Sequence, residues 1–245
     1  MDEIVKRAVE RAIETMQQNL GERLTIDDMA RSAMFSKFHF SRVFQRVTGV
    51  SPGRFLSAMR LEEAKRLLVT TQFTVADISH RVGYNSVGTF SSRFRSSVGV
   101  SPTTYRQLGG IAVAIPVDEH EGVPSASTVR GHVVAPPADA LGMVFVGLFP
   151  SRILQGSPVR YSVLPRPGAY ALQDVPLGTW YLMAYSMVPG PESYPHVGSH
   201  GPIKIHPDVT ARIADVQLRR MRMVDPPVLM AMVDSESTEL DALAS

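Results

Sequence analysis

A self-similarity at a spacing of fifty residues constrains this chain more than any other feature. Phe40-Ser41, Phe44 and Gly49-Val50-Ser51-Pro52 return fifty positions later as Phe90-Ser91, Phe94 and Gly99-Val100-Ser101-Pro102. Upstream, Leu24-Thr25 and Asp28 return 49 positions later as Phe73-Thr74 and Asp77, so the second copy carries one extra residue in its turn. Solenoid arrays use more copies at shorter periods. Two copies of one small unit is the simpler reading. Thr25-Ile-Asp-Asp28 and Thr74-Val-Ala-Asp77 both have capping-box spacing, with a hydroxyl and an acid satisfying the free amides of a helix start. Each opens a short predicted helix, near 26–33 and 75–82, followed by a turn and a second helix near 36–47 and 86–97. Gly83-Tyr84-Asn85 supply the later turn.

The flanks of the repeat also read as helix. Ile4, Val5, Ala8, Val9, Ala12, Ile13 and Met16 recur at helical spacing, predicting an amphipathic helix over Asp2–Asn19 that stops at Gly21. Pro52–Leu68 reads as one helix joining the two units, roughly 26 Å long at 1.5 Å per residue. Beyond Leu108 the pattern changes. Gly109-Gly110 ends the helical part, and residues 109–127 have a linker's composition. Strand signals follow at Arg130–Ala135, Met143–Phe149, Val159–Leu164, Tyr170–Val175, Thr179–Val188, Ile203–His206 and Ala214–Met223. Gly, Pro and Asp punctuate them as in an antiparallel sandwich. The expected architecture is therefore two domains: an all-α domain over residues 1–108 and an all-β antiparallel sandwich over 128–233, with an acidic tail over 234–245.

Charge separates the same two parts. The net charge of +2 is the sum of +6 over residues 1–108 and −4 over 109–245. No acid lies between Ser36 and Leu61, where Lys37, Arg42, Arg46, Arg54 and Arg60 fall. None lies from Ile78 to Val117, which holds Arg81, Arg93, Arg95 and Arg106. A solvated surface is normally mixed in sign, so two acid-free basic windows point to surfaces that face a polyanion. With no Cys, disulfide frameworks, thiolate zinc sites and cysteine nucleophiles are excluded. The start lacks a signal-peptide pattern and no apolar run approaches a membrane span, so a cytoplasmic protein without a membrane partner is expected. No nucleophile elbow, phosphate loop or paired-acid arrangement appears, and neither an enzyme nor a cofactor is expected.

On the helix from Ser36, a buried stripe of Phe40, Val43, Phe44 and Val47 leaves Phe38, Arg42, Gln45 and Arg46 on the opposite face, with Ser41 at its edge. Those side chains suit base reading: Arg bidentate to guanine, Gln to adenine, Phe against a thymine methyl. The alternative for Phe38 is packing beneath the preceding helix. On the later helix Val87, Phe90 and Phe94 face the core. Asn85, Gly88, Thr89, Ser92, Arg95 and Ser96 face outward, a small hydroxyl-rich surface better suited to holding phosphates and following groove shape. With the joining helix between them, the two recognition helices would meet successive major-groove faces about 34 Å apart.

Residues 8–106 resemble the DNA-binding domain of the AraC/XylS family of transcription regulators. The resemblance rests on Leu24-Thr-Ile-Asp-Asp-Met-Ala, the Phe-Ser-Arg-Val-Phe core within Ser36–Gly49, Arg60-Leu-Glu-Glu-Ala-Lys-Arg-Leu-Leu and Val75-Ala-Asp-Ile-Ser. It closes with Val82-Gly-Tyr, Thr89-Phe-Ser-Ser-Arg-Phe and Gly99-Val-Ser-Pro-Thr-Thr-Tyr-Arg106. It implies a transcription regulator whose partner is double-stranded promoter or operator DNA, with a homodimer and RNA polymerase as further partners and an unknown effector. It implies DNA contacts at positions matching Phe38, Ser41 and Arg42, and Val87, Gly88, Thr89 and Ser92. Together with the outward faces, the candidate DNA-binding set is Ser36, Phe38, Ser41, Arg42, Gln45, Arg46, Ser86, Val87, Gly88, Thr89, Ser92, Arg93 and Arg95. Ser92 departs from a frequent Arg in that family. Arg93 stands one position on, turned 100° around the helix.

In many relatives of that family a ligand-sensing domain precedes the DNA-binding half, whereas here the strands follow it. Tyr170-Ala-Leu-Gln-Asp-Val-Pro and Gly178-Thr-Trp-Tyr-Leu-Met-Ala-Tyr are similar to the prealbumin-like sandwiches of carboxypeptidase regulatory domains. Strand alternation puts Trp180, Leu182 and Ala184 on one face and Tyr181, Met183, Tyr185 and Met187 on the other. If the first face is core, the second offers a ligand or dimer surface, unless other parts of the chain cover it. His196, His200 and His206 with Asp208 are the one candidate metal set, the basis of a metal-dependent enzyme as a rival reading. Their Pro- and Gly-rich setting reads as a loop of solvated histidines, and no metal is expected there.

Overall fold

The computed structural model describes residues 3–112, 125–136, 141–187 and 194–233. The expected acidic tail, 234–245, and most of the expected linker lie outside the described residues. The chain divides into two compact units. The first comprises Met1–Ile115, Ile153–Gly156 and Arg222–Ser245, and the second Pro116–Arg152 and Ser157–Met221.

Seven helices build the first unit: α1 Glu3–Gln18, α2 Ile26–Ser32, α3 Lys37–Thr48, α4 Pro52–Thr70, α5 Val75–Arg81, α6 Val87–Val98 and α7 Pro102–Gln107. Both capping boxes form. Thr25 Oγ1 accepts the Asp28 N–H at 3.3 Å while Asp28 accepts the Thr25 N–H at 3.0 Å, and Thr74 and Asp77 repeat the pair at 3.1 Å in each direction. Gly49 and Gly99, at φ 82° and 99°, end α3 and α6 in the left-handed conformation that L side chains avoid.

The duplication persists in the core. The Phe40, Phe44 and Phe55 rings meet in succession, tilted and then edge-to-face, at 5.4 Å between centroids, and Phe90, Phe94 and Tyr105 do the same at 5.7 and 5.6 Å. The first cluster packs on α1 through Ala8, Val9, Ala12, Ile13 and Met16. The second packs on α4 through Ala58, Leu61, Ala64, Leu67 and Leu68. Thus α4 does for the second unit of the repeat what α1 does for the first, which is why it is continuous for 19 residues, about 28 Å.

Segments distant in sequence complete both clusters. Ile153 and Val224 are buried in the first, and Leu229 and Ala231 in the second. The carbonyls at the end of α6, which lack intrahelical partners, accept from these segments: Ser97 from the Gly156 N–H at 2.6 Å and Val98 from the Ala231 N–H at 3.0 Å. Lys65 Nζ donates to Val228 O at 2.8 Å. Residues 222–233, expected to belong to the sandwich, therefore pack with the helices, where Leu229 and Ala231 find apolar cover.

Eleven strands are described: β1 Ile111–Ala112, β2 Thr128–Val134, β3 Val144–Phe149, β4 Arg160–Leu164, β5 Ala169–Leu172, β6 Gly178–Met187, β7 Pro195–Ile205, β8 Ala211–Ile213, β9 Val216–Gln217, β10 Arg219–Arg220 and β11 Met232–Val233. In the first unit β1 pairs in parallel with β11. In the second, an antiparallel sheet ordered β10-β7-β6-β3-β4 faces a sheet ordered β5-β2-β8, with β9 also on β2. Val144, Val146, Leu148, Trp180, Leu182 and Ala184 from the first sheet meet Val129, Val133, Tyr170 and Leu172 from the other across one core.

Two expectations about strands are corrected. Ala214–Met223 is not a single strand: β8 and β9 run parallel to β2, then β10 pairs with β7, so the chain changes sheets within ten residues. Gly131 permits that crossing, because a Cβ there would lie 2.4 Å from Ala214 O. The part of the histidine segment with His196 and His200 is a strand, not a loop, whereas His206 and Asp208 follow its end. His196 opposes Ser186 and His200 opposes Leu182 in the β6–β7 ladder, with a register shift before Ile203. Gly198 reads as a breaker in sequence but serves a close approach, since a Cβ there would meet Val216 Cγ1 at 2.5 Å.

Candidate nucleic-acid interface

The candidate surface starts with what α3 does not bury. Phe40, Val43 and Phe44 enter the core, so Phe38, Arg42, Gln45 and Arg46 stand exposed and Ser41 half-exposed. Phe38 is 84% exposed, which removes the alternative that it packs beneath the preceding helix. Ser41 Oγ donates to Lys37 O at 2.9 Å and keeps its acceptor lone pairs free. Ser36 is the N-cap of α3, with no side-chain cap bond, so the first amides of that helix remain open to an anion.

The second surface is arranged similarly and furnished differently. Gly88, Thr89, Ser92, Arg93 and Arg95 are exposed on α6, and Val87 is half-buried. Ser86 Oγ accepts the Thr89 N–H at 3.3 Å, so this hydroxyl is spent on the cap. A Cβ on Gly88 would meet only Ser86 Oγ, at 3.7 Å, so nothing within the protein requires glycine there.

The arginines of the two acid-free windows divide by role. Among the described residues, the guanidinium groups of Arg42, Arg46, Arg93 and Arg95 have no acid or carbonyl partner. Arg60 is turned inward, donating from Nε to Leu20 O at 2.9 Å, from Nη1 to Gly83 O at 3.3 Å and from Nη2 to Glu22 O at 2.6 Å. It ties the chain after α1 to the turn before α6, and desolvation by burial lowers its pKa. Arg106 donates to Leu68 O at 2.9 Å and Phe73 O at 2.6 Å, and Arg81 lies 4.0 Å from the Phe73 ring centroid. Arg60 and Arg106 brace the helices from within, whereas Arg81 is exposed over the Phe73 ring. The carbonyl partners of Arg60 and Arg106 lie far away in sequence, so no local signal marks them.

In the sandwich unit, Met183 is 8% exposed and Tyr181 and Tyr185 are half-buried, as in the alternative that other parts of the chain cover this face. The register explains it. Tyr185 sits opposite Phe145 and Tyr181 opposite Phe149, and Phe145 stacks on Tyr161 at 5.8 Å. These rings cover one another. The Met187 side chain lies outside the described residues. Of the candidate metal set, His196 is buried with Nδ1 3.0 Å from Tyr194 O, His200 Nδ1 is 2.9 Å from Asp215 O, and His206 is exposed. Among the described residues no three His, Cys, Asp or Glu converge for a metal, and no helix is long and apolar enough to cross a membrane.

A helix-turn-helix domain profile matches residues 29–108. The chain is similar to the HTH-type transcriptional activator AarP of Providencia stuartii, at 35% identity over 91 residues, covering 37% of this chain and 67% of that protein. It is also similar to the lactose operon transcription activator of Staphylococcus xylosus, at 30% identity over 104 residues, covering 42% of this chain and 37% of that one. Against that larger relative the chain spans well under half the length. A crystal structure of an AraC-type transcriptional regulator from Chromobacterium violaceum aligns at 27% identity with a TM-score of 0.41, covering 42% of this chain and 93% of that one. With two recognition helices on a duplicated core and a regulator matched over two thirds of its length, the chain belongs to the AraC/XylS family of helix-turn-helix transcription regulators.

Proposed function

We propose that this regulator reads a specific duplex sequence through both recognition helices. Phe38, Arg42 and Arg46 supply the strongest contacts, and Arg93 and Arg95 bind mainly phosphates. The observation that carries the reading is the row of exposed, unpaired side chains on α3, beside arginines of the same windows that are committed to backbone carbonyls. Unequal furnishing of the two surfaces supports unequal roles: base reading by α3, and phosphate and shape contacts by α6. The sandwich is the place for effector sensing or self-association.

Arg42→Ala tests the assignment in binding assays on a selected duplex and its single-base variants. The expected result is a loss of about 1–3 kcal/mol with relaxed preference at one base pair. A uniform loss across all sequences would make Arg42 a phosphate contact instead.

A further inference from the structure

The turn between α2 and α3 holds a methionine where the fold asks for glycine. α2 ends in a Schellman motif: the Met34 N–H donates to Arg31 O at 3.0 Å and the Phe35 N–H to Ala30 O at 2.9 Å. The equivalent turn before α6 repeats both bonds, Gly83 to His80 O and Tyr84 to Ser79 O, each at 3.0 Å. The end of α7 repeats them again through Gly109 and Gly110. The residue that closes the motif is left-handed in all three, with φ of 60° at Met34, 78° at Gly83 and 63° at Gly109. Glycine occupies that position without strain, and an unbranched side chain does not. Among the described residues little covers the methionine, which is 83% exposed. Phe35, next in the chain, is the inward anchor, half-buried against the first core with its ring 4.8 Å from that of His39.

Met34 and Phe38 are the two most exposed of the large hydrophobic residues described, four positions apart and on either side of the α3 N-terminus. In helix-turn-helix docking, the N-terminal residues of the recognition helix touch base edges. We propose that Met34 is a specificity-determining contact, held outward by its left-handed backbone to pack on a thymine 5-methyl group in the major groove. This rests on the reading that α3 enters that groove. The methyl is the apolar feature of the major-groove edge, and the flexible, polarisable thioether chain adapts to it. Backbone strain of this kind clusters at functional sites, where it fixes the direction of a side chain.

The test uses the full chain and the duplex it selects, with each thymine replaced in turn by deoxyuridine, which removes only the methyl. Wild type and Met34→Leu should lose affinity at one thymine flanking the Arg42 contact. Met34→Gly and Met34→Asn, which both tolerate the left-handed backbone, should bind the parent duplex ~3- to 10-fold more weakly and be insensitive to that replacement. The melting temperature of Met34→Gly should be no lower than wild type, so weaker binding would not reflect a damaged fold. Wild-type affinity in Met34→Gly, or the same deoxyuridine penalty in both proteins at every thymine, overturns the proposal while an Arg42→Ala loss leaves the parent reading standing. If Arg42→Ala also binds unchanged, both fall.

Discussion

Gly88 and the arginines show how differently single residues declare themselves. Glycine inside a helix costs about 0.5–1 kcal/mol against alanine, and the space beside Gly88 is open. Gly88→Ala should therefore stabilise the protein by about that amount in urea titrations. If α6 lies close against DNA, the same variant should bind its duplex more weakly, and a stabilised protein with unchanged affinity would remove Gly88 from the interface. Helical periodicity alone places Gly88 on the outward face. It also put Arg42 on an outward face but gave Arg60, in the same acid-free window, no role of its own. What separates them is the set of carbonyls at Leu20, Glu22 and Gly83 around Arg60, assembled only when the helices pack.

At the scale of elements, the legible features were those whose partners lie three or four residues away. Both capping boxes and the apolar stripes of α1, α3 and α6 are of this kind, and all form. The part of β7 before Ile203 was missed because Gly198, Gly201 and Pro202 read as breakers, while the reason for Gly198 lies across the sandwich at Val216. The capping boxes carry a pH dependence. Hydrogen bonds from Thr25 and Thr74 hold the carboxyls of Asp28 and Asp77 below the usual aspartate range. A lowered native pKa gives stability that is fully present above the unfolded value near 4 and is lost as pH falls through the native one. Thr74→Ala should cost about 1 kcal/mol at neutral pH. It should also flatten the loss of stability on acidification, measured by urea midpoints between about pH 2 and 6. An acid limb as steep as that of wild type would show that the Asp77 cap does not contribute.

Across the whole molecule, the two-part division by composition and charge was legible, and so was the sandwich. The assignment of chain to unit was not. Nothing local in Val224, Leu229 or Ala231 distinguishes a strand of the sandwich from cover for the helical clusters, because both are apolar surroundings. Leu229 is fully buried in the second cluster, and Leu229→Ala should destabilise the helical unit by about 2–5 kcal/mol. Ile213→Ala, at a residue 72% exposed, should change little. Hydrogen exchange on the full chain reads the effect directly: amides of α6 should lose protection in Leu229→Ala. Protection unchanged in α6 and lost only in the sandwich would contradict the packing described.

If both halves of the repeat engage one duplex, a footprint of the full chain on duplexes selected from a random pool will show it, at ~0.15 M salt because phosphate-driven binding falls steeply with ionic strength. The expected result is one asymmetric protected site of about 20 bp, two successive major-groove faces, stronger in base preference on the side read by α3. Protection limited to a single helical turn, or no discrete site at all, would contradict it.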